Sequence, residues 1–148
     1  MITGFNHVAF VTRDLDRLRA FYLEVFEIDG PVLTNGPGGA RHALLRLGDG
    51  AVLHPFEIPD ADLDSAGSAI FRRGRIDHFA LDAGDEPTLE RLRTRLVAAG
   101  ASDGTVTDFG PILSVHFQDP DGTQLEVACQ RPSGDGASRA DLGELLSG

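Results

Sequence analysis

With 23 acidic against 13 basic side chains in 148 residues, the chain carries a net charge of −10. That surplus argues against a nucleic-acid or anionic-membrane surface, since both call for clustered positive charge. Every basic residue is arginine, which excludes a Schiff-base lysine, and the single cysteine, Cys129, cannot form an internal disulfide.

The apolar fraction of 41% and charged fraction of 24% are those of an ordinary globular protein. The length suits one domain or two fused half-size modules, each of which would be marginally stable alone. The opening Met-Ile-Thr-Gly-Phe-Asn-His lacks the basic and apolar regions of a signal peptide. No apolar run approaches the roughly 20 residues of a membrane span. A cytoplasmic protein is expected, and the arginine bias suggests a GC-rich bacterial genome.

In chain order, Phe5-Asn6-His7-Val8-Ala9-Phe10 reads as a first strand. A helix follows from about Asp14 to Phe26, with Leu15, Leu18, Phe21, Tyr22, Val25 and Phe26 on one stripe and Asp14 or Thr12 as its cap. Three short strands are expected near 30–34, 40–47 and 51–57. Asn35-Gly36-Pro37-Gly38-Gly39 is either a hairpin connection or a lip over a site. Residues 59–75 form a linker that begins acidic and ends in Arg72-Arg73-Gly74-Arg75, read as a solvated surface.

The pattern then recurs. Ile76-Asp77-His78-Phe79-Ala80-Leu81 resembles the first strand. A second helix runs from about Glu86 to Ala99, with Asp85 as cap, Pro87 in its first turn and Gly100 at its end. Leu89, Leu92, Leu96 and Val97 form its stripe. Strands are expected near 104–108, 112–118 and 123–129, with the type I turn Asp119-Pro120-Asp121-Gly122 joining the last two. Beyond Arg131 a Pro/Ser/Gly-rich tail holds Leu142, Leu145 and Leu146, which suit one short amphipathic turn.

His7 and His78 are 71 residues apart, and aligning Gly50 with Gly122, an offset of 72, sets His54 over Glu126. Two near-identical offsets indicate a duplication. The expected architecture is α+β: paired βαβββ modules at 1–58 and 76–130, forming a curved mixed sheet around a central cleft, with a linker at 59–75 and a tail at 131–148.

Strand alternation assigns faces. Val8, Phe10, Ala43, Leu45, Leu47, Leu53, Val115, Phe117, Leu125 and Val127 are expected to pack on one side. His7, His42, Arg46, His54, Phe56, His78, Ser114, His116, Gln118 and Glu126 then share the concave face. A lone strand histidine is ordinarily a satisfied core or surface residue. The duplication changes that for His7, His54, His78 and Glu126, because twofold-related positions are brought together. A buried carboxylate with no lysine to neutralise it calls for a partner or a metal. Imidazole plus carboxylate suits one divalent ion among Fe²⁺, Mn²⁺, Ni²⁺, Co²⁺ and Zn²⁺.

Asn6-His7-Val8-Ala9, followed by Asp14 to Phe26, and Phe117-Gln118-Asp119-Pro120-Asp121-Gly122, followed by Leu125-Glu126, resemble the glyoxalase, bleomycin-resistance and extradiol-dioxygenase superfamily of vicinal oxygen chelate proteins. The resemblance covers roughly residues 4 to 130. It implies that His7, His54, His78 and Glu126 are metal ligands, although glyoxalase I-like members usually carry Glu where His54 stands. Glu57, three residues on, is turned away by alternation. Ring-cleaving members carry a tyrosine where this chain has His116.

What the resemblance implies is a metal-dependent lyase or isomerase acting on a small vicinal-oxygen substrate through a metal-stabilised enediolate. Glu126 and His116 are the candidate acid–base groups, the latter because imidazoles titrate near neutrality. His42, Arg46, Phe56, Ser114 and Gln118 are expected to contact substrate, Arg46 by holding an anionic group. The rivals are an Fe²⁺ or Mn²⁺ extradiol-type dioxygenase and a non-catalytic drug-binding resistance protein. A thiol transferase of the fosfomycin-resistance type is disfavoured, because no potassium loop or set of cationic pocket residues is identifiable. A homodimer is expected, with neither nucleic acid nor membrane as partner.

Overall fold

The computed structural model describes residues 5–61, 63 and 78–131. The Arg72-Arg73-Gly74-Arg75 cluster, nearly all of the expected linker, and the tail leucines lie outside the described residues. The described chain divides into two compact units: residues up to 63 together with Asp119–Thr123, and residues 78–118 with 124–131.

The first unit runs β1 (His7–Thr12), α1 (Leu15–Phe26), β2 (Val32–Leu33), β3 (His42–Ala43), β4 (Leu45–Leu47) and β5 (Ala51–Glu57). Asp14 caps α1 as its sequence position requires, accepting the Arg17 amide at 3.0 Å. The buried stripe Leu15, Leu18, Tyr22 and Val25 lies in one core with Ala43, Leu45, Leu53 and Pro55. β1 pairs in parallel with β5, which sets Ala9 opposite His54. β5 is antiparallel to both β3 and β4.

The expected single strand over 40–47 is broken at Leu44. Gly30 presses on that point: a Cβ there would stand 2.0 Å from the Leu44 carbonyl oxygen. Only glycine permits the approach, and the ladder gives way beside it. Pro37–Gly39 forms one 3-10 turn in the Asn35–Gly39 loop, with Gly38 and Gly39 at positive φ.

The second unit runs β6 (Phe79–Asp82), α2 (Glu86–Ala98), β7 (Val106–Asp108), β8 (Ile112–Gln118) and β9 (Gln124–Gln130), in sheet order β6-β9-β8-β7. β6 is parallel to β9 and sets Ala80 opposite Glu126. The first unit's pairing of Ala9 with His54 is thus repeated, as the offsets of 71 and 72 require. Asp85 caps α2 through the Thr88 amide. Leu89 and Leu96 are buried with Val115, Phe117, Leu125, Val127 and Cys129. Val97, expected on the buried stripe, is 44% exposed. It sits at the stripe's edge against Gly104.

The Asp119–Thr123 turn joins two strands of the second unit and groups with the first. Asp119 Oδ1 accepts the amides of Asp121 and Thr123, each at 2.9 Å. Asp121 accepts from the Thr12 hydroxyl and from Arg17 at 2.7 Å. Asp119 Oδ2 and the Tyr22 hydroxyl are buried without hydrogen-bond partners. Burial pushes the Asp119 carboxyl up to about 6. Tyr22 is raised by burial first, then by Asp119 and Asp121.

Candidate metal centre

Pleating delivers the expected faces in both sheets. On β5, Leu53 and Pro55 are buried while Val52, His54 and Phe56 occupy the other side. On β9, Leu125, Val127 and Cys129 are buried and Gln124, Glu126 and Ala128 alternate with them. Each unit therefore carries its own chemically distinct cluster.

In the second unit Glu126 is central. His116 lies directly across the ladder from it. The His116 Nε2 approaches Glu126 Oε1 at 2.7 Å, and His78 Nε2 approaches the same oxygen at 3.2 Å. Ser114, fully buried, donates its hydroxyl to Oε2 at 2.8 Å. Both carboxylate oxygens are thus engaged, which keeps a 13%-exposed carboxylate in place.

In the first unit His7, His42 and His54 gather on one face. The His7 and His54 ring centroids are 5.6 Å apart. His42 Nδ1 and His54 Nε2 lie 2.8 Å apart. His7 Nδ1 donates to Asn6 Oδ1 at 2.8 Å, because that amide oxygen only accepts. The bond makes Nε2 the nitrogen of His7 that keeps its lone pair, the tautomer usual when that nitrogen binds a metal. Burial, then the neighbouring His42 and His7, lowers the pKa of His54 and favours its neutral, lone-pair-bearing form.

The structure brings His7 together with His54, and His78 together with Glu126, in separate units. Among the described residues no group of three or more His, Cys, Asp or Glu is gathered closely enough to hold an ion. Imidazole nitrogen and carboxylate oxygen are donor types that divalent transition metals accept. Two donors sharing one ion at about 2.1 Å stand roughly 3.0–3.4 Å apart. The His78–Glu126 separation of 3.2 Å falls in that range.

Of the expected substrate contacts, Arg46 is exposed on β4 opposite Val52, and Gln118 is exposed at the end of β8. Phe56 stacks on His42, with centroids 5.2 Å apart and planes at 13°. Ser114, also expected to contact substrate, is fully buried and donates to Glu126 Oε2 at 2.8 Å, which holds the carboxylate. Ser114 is the diagonal neighbour of Glu126 across β8 and β9, a contact set by register. Glu57 is turned away from His54, where it accepts the Leu15 amide at 2.9 Å and pairs with Arg41 at 3.1 Å.

The model of the Glyoxalase/Bleomycin resistance protein/Dioxygenase superfamily matches residues 4–127. Metallothiol transferase FosB of Shouchella clausii (strain KSM-K16) is 31% identical over 132 residues, which cover 86% of this chain and 80% of that protein. A glyoxylase/bleomycin resistance protein/dioxygenase domain from Frankia sp. EAN1pec superposes with a TM-score of 0.74 at 24% identity, covering 92% of this chain and 98% of that one. Lactoylglutathione lyase from Agrobacterium tumefaciens superposes with a TM-score of 0.61 at 21% identity, covering 86% and 94%. The two structural likenesses speak for the fold.

Proposed function

This chain belongs to the Glyoxalase/Bleomycin resistance protein/Dioxygenase superfamily, and from that premise we propose that it is a divalent-metal-dependent enzyme. In this reading it takes a small molecule through two neighbouring oxygens and moves a proton at the adjacent carbon. The observation that carries the reading is the second unit's cluster, where His78 and His116 approach one oxygen of Glu126 while Ser114 holds the other.

His7, His54, His78 and Glu126 are the metal donors of this reading. A bound divalent ion would supply Lewis acidity, drawing charge from a carbonyl oxygen. The remaining work falls to the chain. Asn6 fixes the His7 tautomer. Ser114 fixes the carboxylate. His116, 39% exposed, is open to a substrate and can exchange a proton through Nε2. Arg46 offers a guanidinium to an anionic substituent. A homodimer and a cytoplasmic location belong to the same reading; no helix among the described residues is long and apolar enough to cross a membrane.

A second reading, thiol transfer, is favoured by the 31% identity to a metallothiol transferase. Both readings need the metal and differ in the co-substrate. The test is elemental analysis of protein purified without chelator, followed by two assays on the loaded protein. One follows loss of deuterium from the carbon beside the carbonyl of small 2-oxo and 2-hydroxy compounds. The other follows thiol consumption with small electrophiles. Metal-dependent exchange without thiol supports the first reading, metal-dependent thiol loss supports the second, and a protein that takes up no divalent ion overturns both.

A further inference from the structure

Strand pairing sets four side chains in one row across the first unit's sheet. Val11 pairs with Phe56, Phe56 with His42, and His42 with Leu33. Directly paired residues share a face, and this one lies opposite the buried face of Ala43, Leu53 and Pro55. Phe56 and His42 stack with planes at 13°, so their rings stand upright on the sheet and turn their edges away from it. Val11 and Leu33, at the two ends of the row, are each 37% exposed. Gly36 closes against the same rings: a Cβ there would stand 3.1 Å from His42 Cδ2 and 3.4 Å from Phe56 Cε1. Single exposed apolar residues need no explanation, but a continuous row beside a polar cluster marks a binding surface.

The face changes character along β5. His54 stands at its centre, diagonal to Val11 and His42 on one side and to His7 and Arg46 on the other. Val52, about 13 Å along the strand from Phe56, lies between His7 and Arg46. Arg17, Arg19, Arg41, Arg93 and Arg131 each meet a carboxylate. Among the described residues no carboxylate pairs with the exposed Arg46. A chain of net charge −10 repels anions, so an anion is held only beside a local cation, and a guanidinium suits a carboxylate in particular.

We propose that this face takes a small organic acid with an aryl body, its ring on the Val11–Phe56–His42–Leu33 row and its carboxylate toward Arg46. A ring edge is positive and favours the face of another aromatic ring over an alkyl chain. The substrate's two neighbouring oxygens then lie near His54 and His7. That last placement rests on the vicinal-oxygen reading above, whereas the ring and carboxylate contacts need no metal.

The test is calorimetric titration of the full chain, freed of metal by chelator, with 2-hydroxy-4-phenylbutanoate, lactate, 2-hydroxyoctanoate and the uncharged 2-hydroxy-4-phenylbutanamide. The aryl acid is expected to bind about 10-fold or more tightly than lactate, about 10-fold more tightly than the amide, and severalfold more tightly than the alkyl acid. Leu33→Ser narrows the first ratio and Arg46→Gln the second. Loss of any of the three preferences in wild type overturns the proposal. A second measurement needs no variant: with methyl-labelled wild type the aryl acid shifts the Val11 and Leu33 signals, and unmoved signals overturn the proposal. Elemental analysis of protein purified without chelator reads the metal separately. Preference without metal uptake sinks the enzyme reading and keeps the ligand class, and uptake without preference does the reverse.

Discussion

Ser114 Oγ lies 2.8 Å from Glu126 Oε2, and the serine is fully buried. Without this hydroxyl the carboxylate loses one of its fixed donors. Ser114→Ala is therefore expected to cost about 1–2 kcal/mol of stability and to lower divalent-metal affinity by about 10-fold. Denaturant melts and calorimetric metal titration read the two effects separately. Undiminished affinity would remove Ser114 from the centre's support.

His78→Ala and Glu126→Ala are each expected to deplete bound metal while keeping a cooperative melt near that of the metal-free wild type. Neither side chain belongs to the buried apolar core. Elemental analysis beside far-ultraviolet circular dichroism checks this. Stoichiometric metal in either variant would strike that residue from the donor set.

Glu57 gives the opposite expectation. Its carboxylate receives the first amide of α1 at 2.9 Å and pairs with Arg41, so it serves the helix's positive end. Glu57→Ala is expected to cost about 1–2 kcal/mol of stability and to leave metal stoichiometry at the wild-type value. A variant with normal stability but lost metal would reverse the assignment made from strand alternation.

Asp119 sets a pH dependence of folding. Burial raises its carboxyl from 3.8 to about 6, so the folded chain holds that proton more tightly than the unfolded one. Its favourable contribution is complete below about pH 4 and is lost as pH rises through about 6. Asp119→Asn keeps the Oδ1 acceptor for the Asp121 and Thr123 amides and has no proton to lose. Relative to wild type, it is expected to gain up to about 2–3 kcal/mol between pH 4 and pH 8. Urea melts at both pH values test this, and a constant difference would mean that Asp119 titrates as an ordinary carboxylate.

The duplication was legible because it is written in local signals. Asp14 and Asp85 mark the helix starts, and period-two alternation marks β5 and β9. The near-equal offsets carried the alignment of His54 with Glu126. Diagonal contacts were not legible. Whether His42 meets His54, or Ser114 meets Glu126, depends on register across a hairpin, and register follows from turn lengths and packing. The break at Leu44 escaped for a similar reason, since it depends on Gly30 approaching from 14 positions earlier.

Cys129 lies in the second core at 2% exposure, and burial, then Glu86 and Asp85, raises its thiol pKa. The polypeptide thus has no ready sulfur nucleophile of its own. Any carbon–sulfur bond made here must draw its sulfur from a diffusible co-substrate. The same inertness has a practical side: a cysteine engineered on the surface would react alone with a maleimide spin label or dye, leaving the native residue in place.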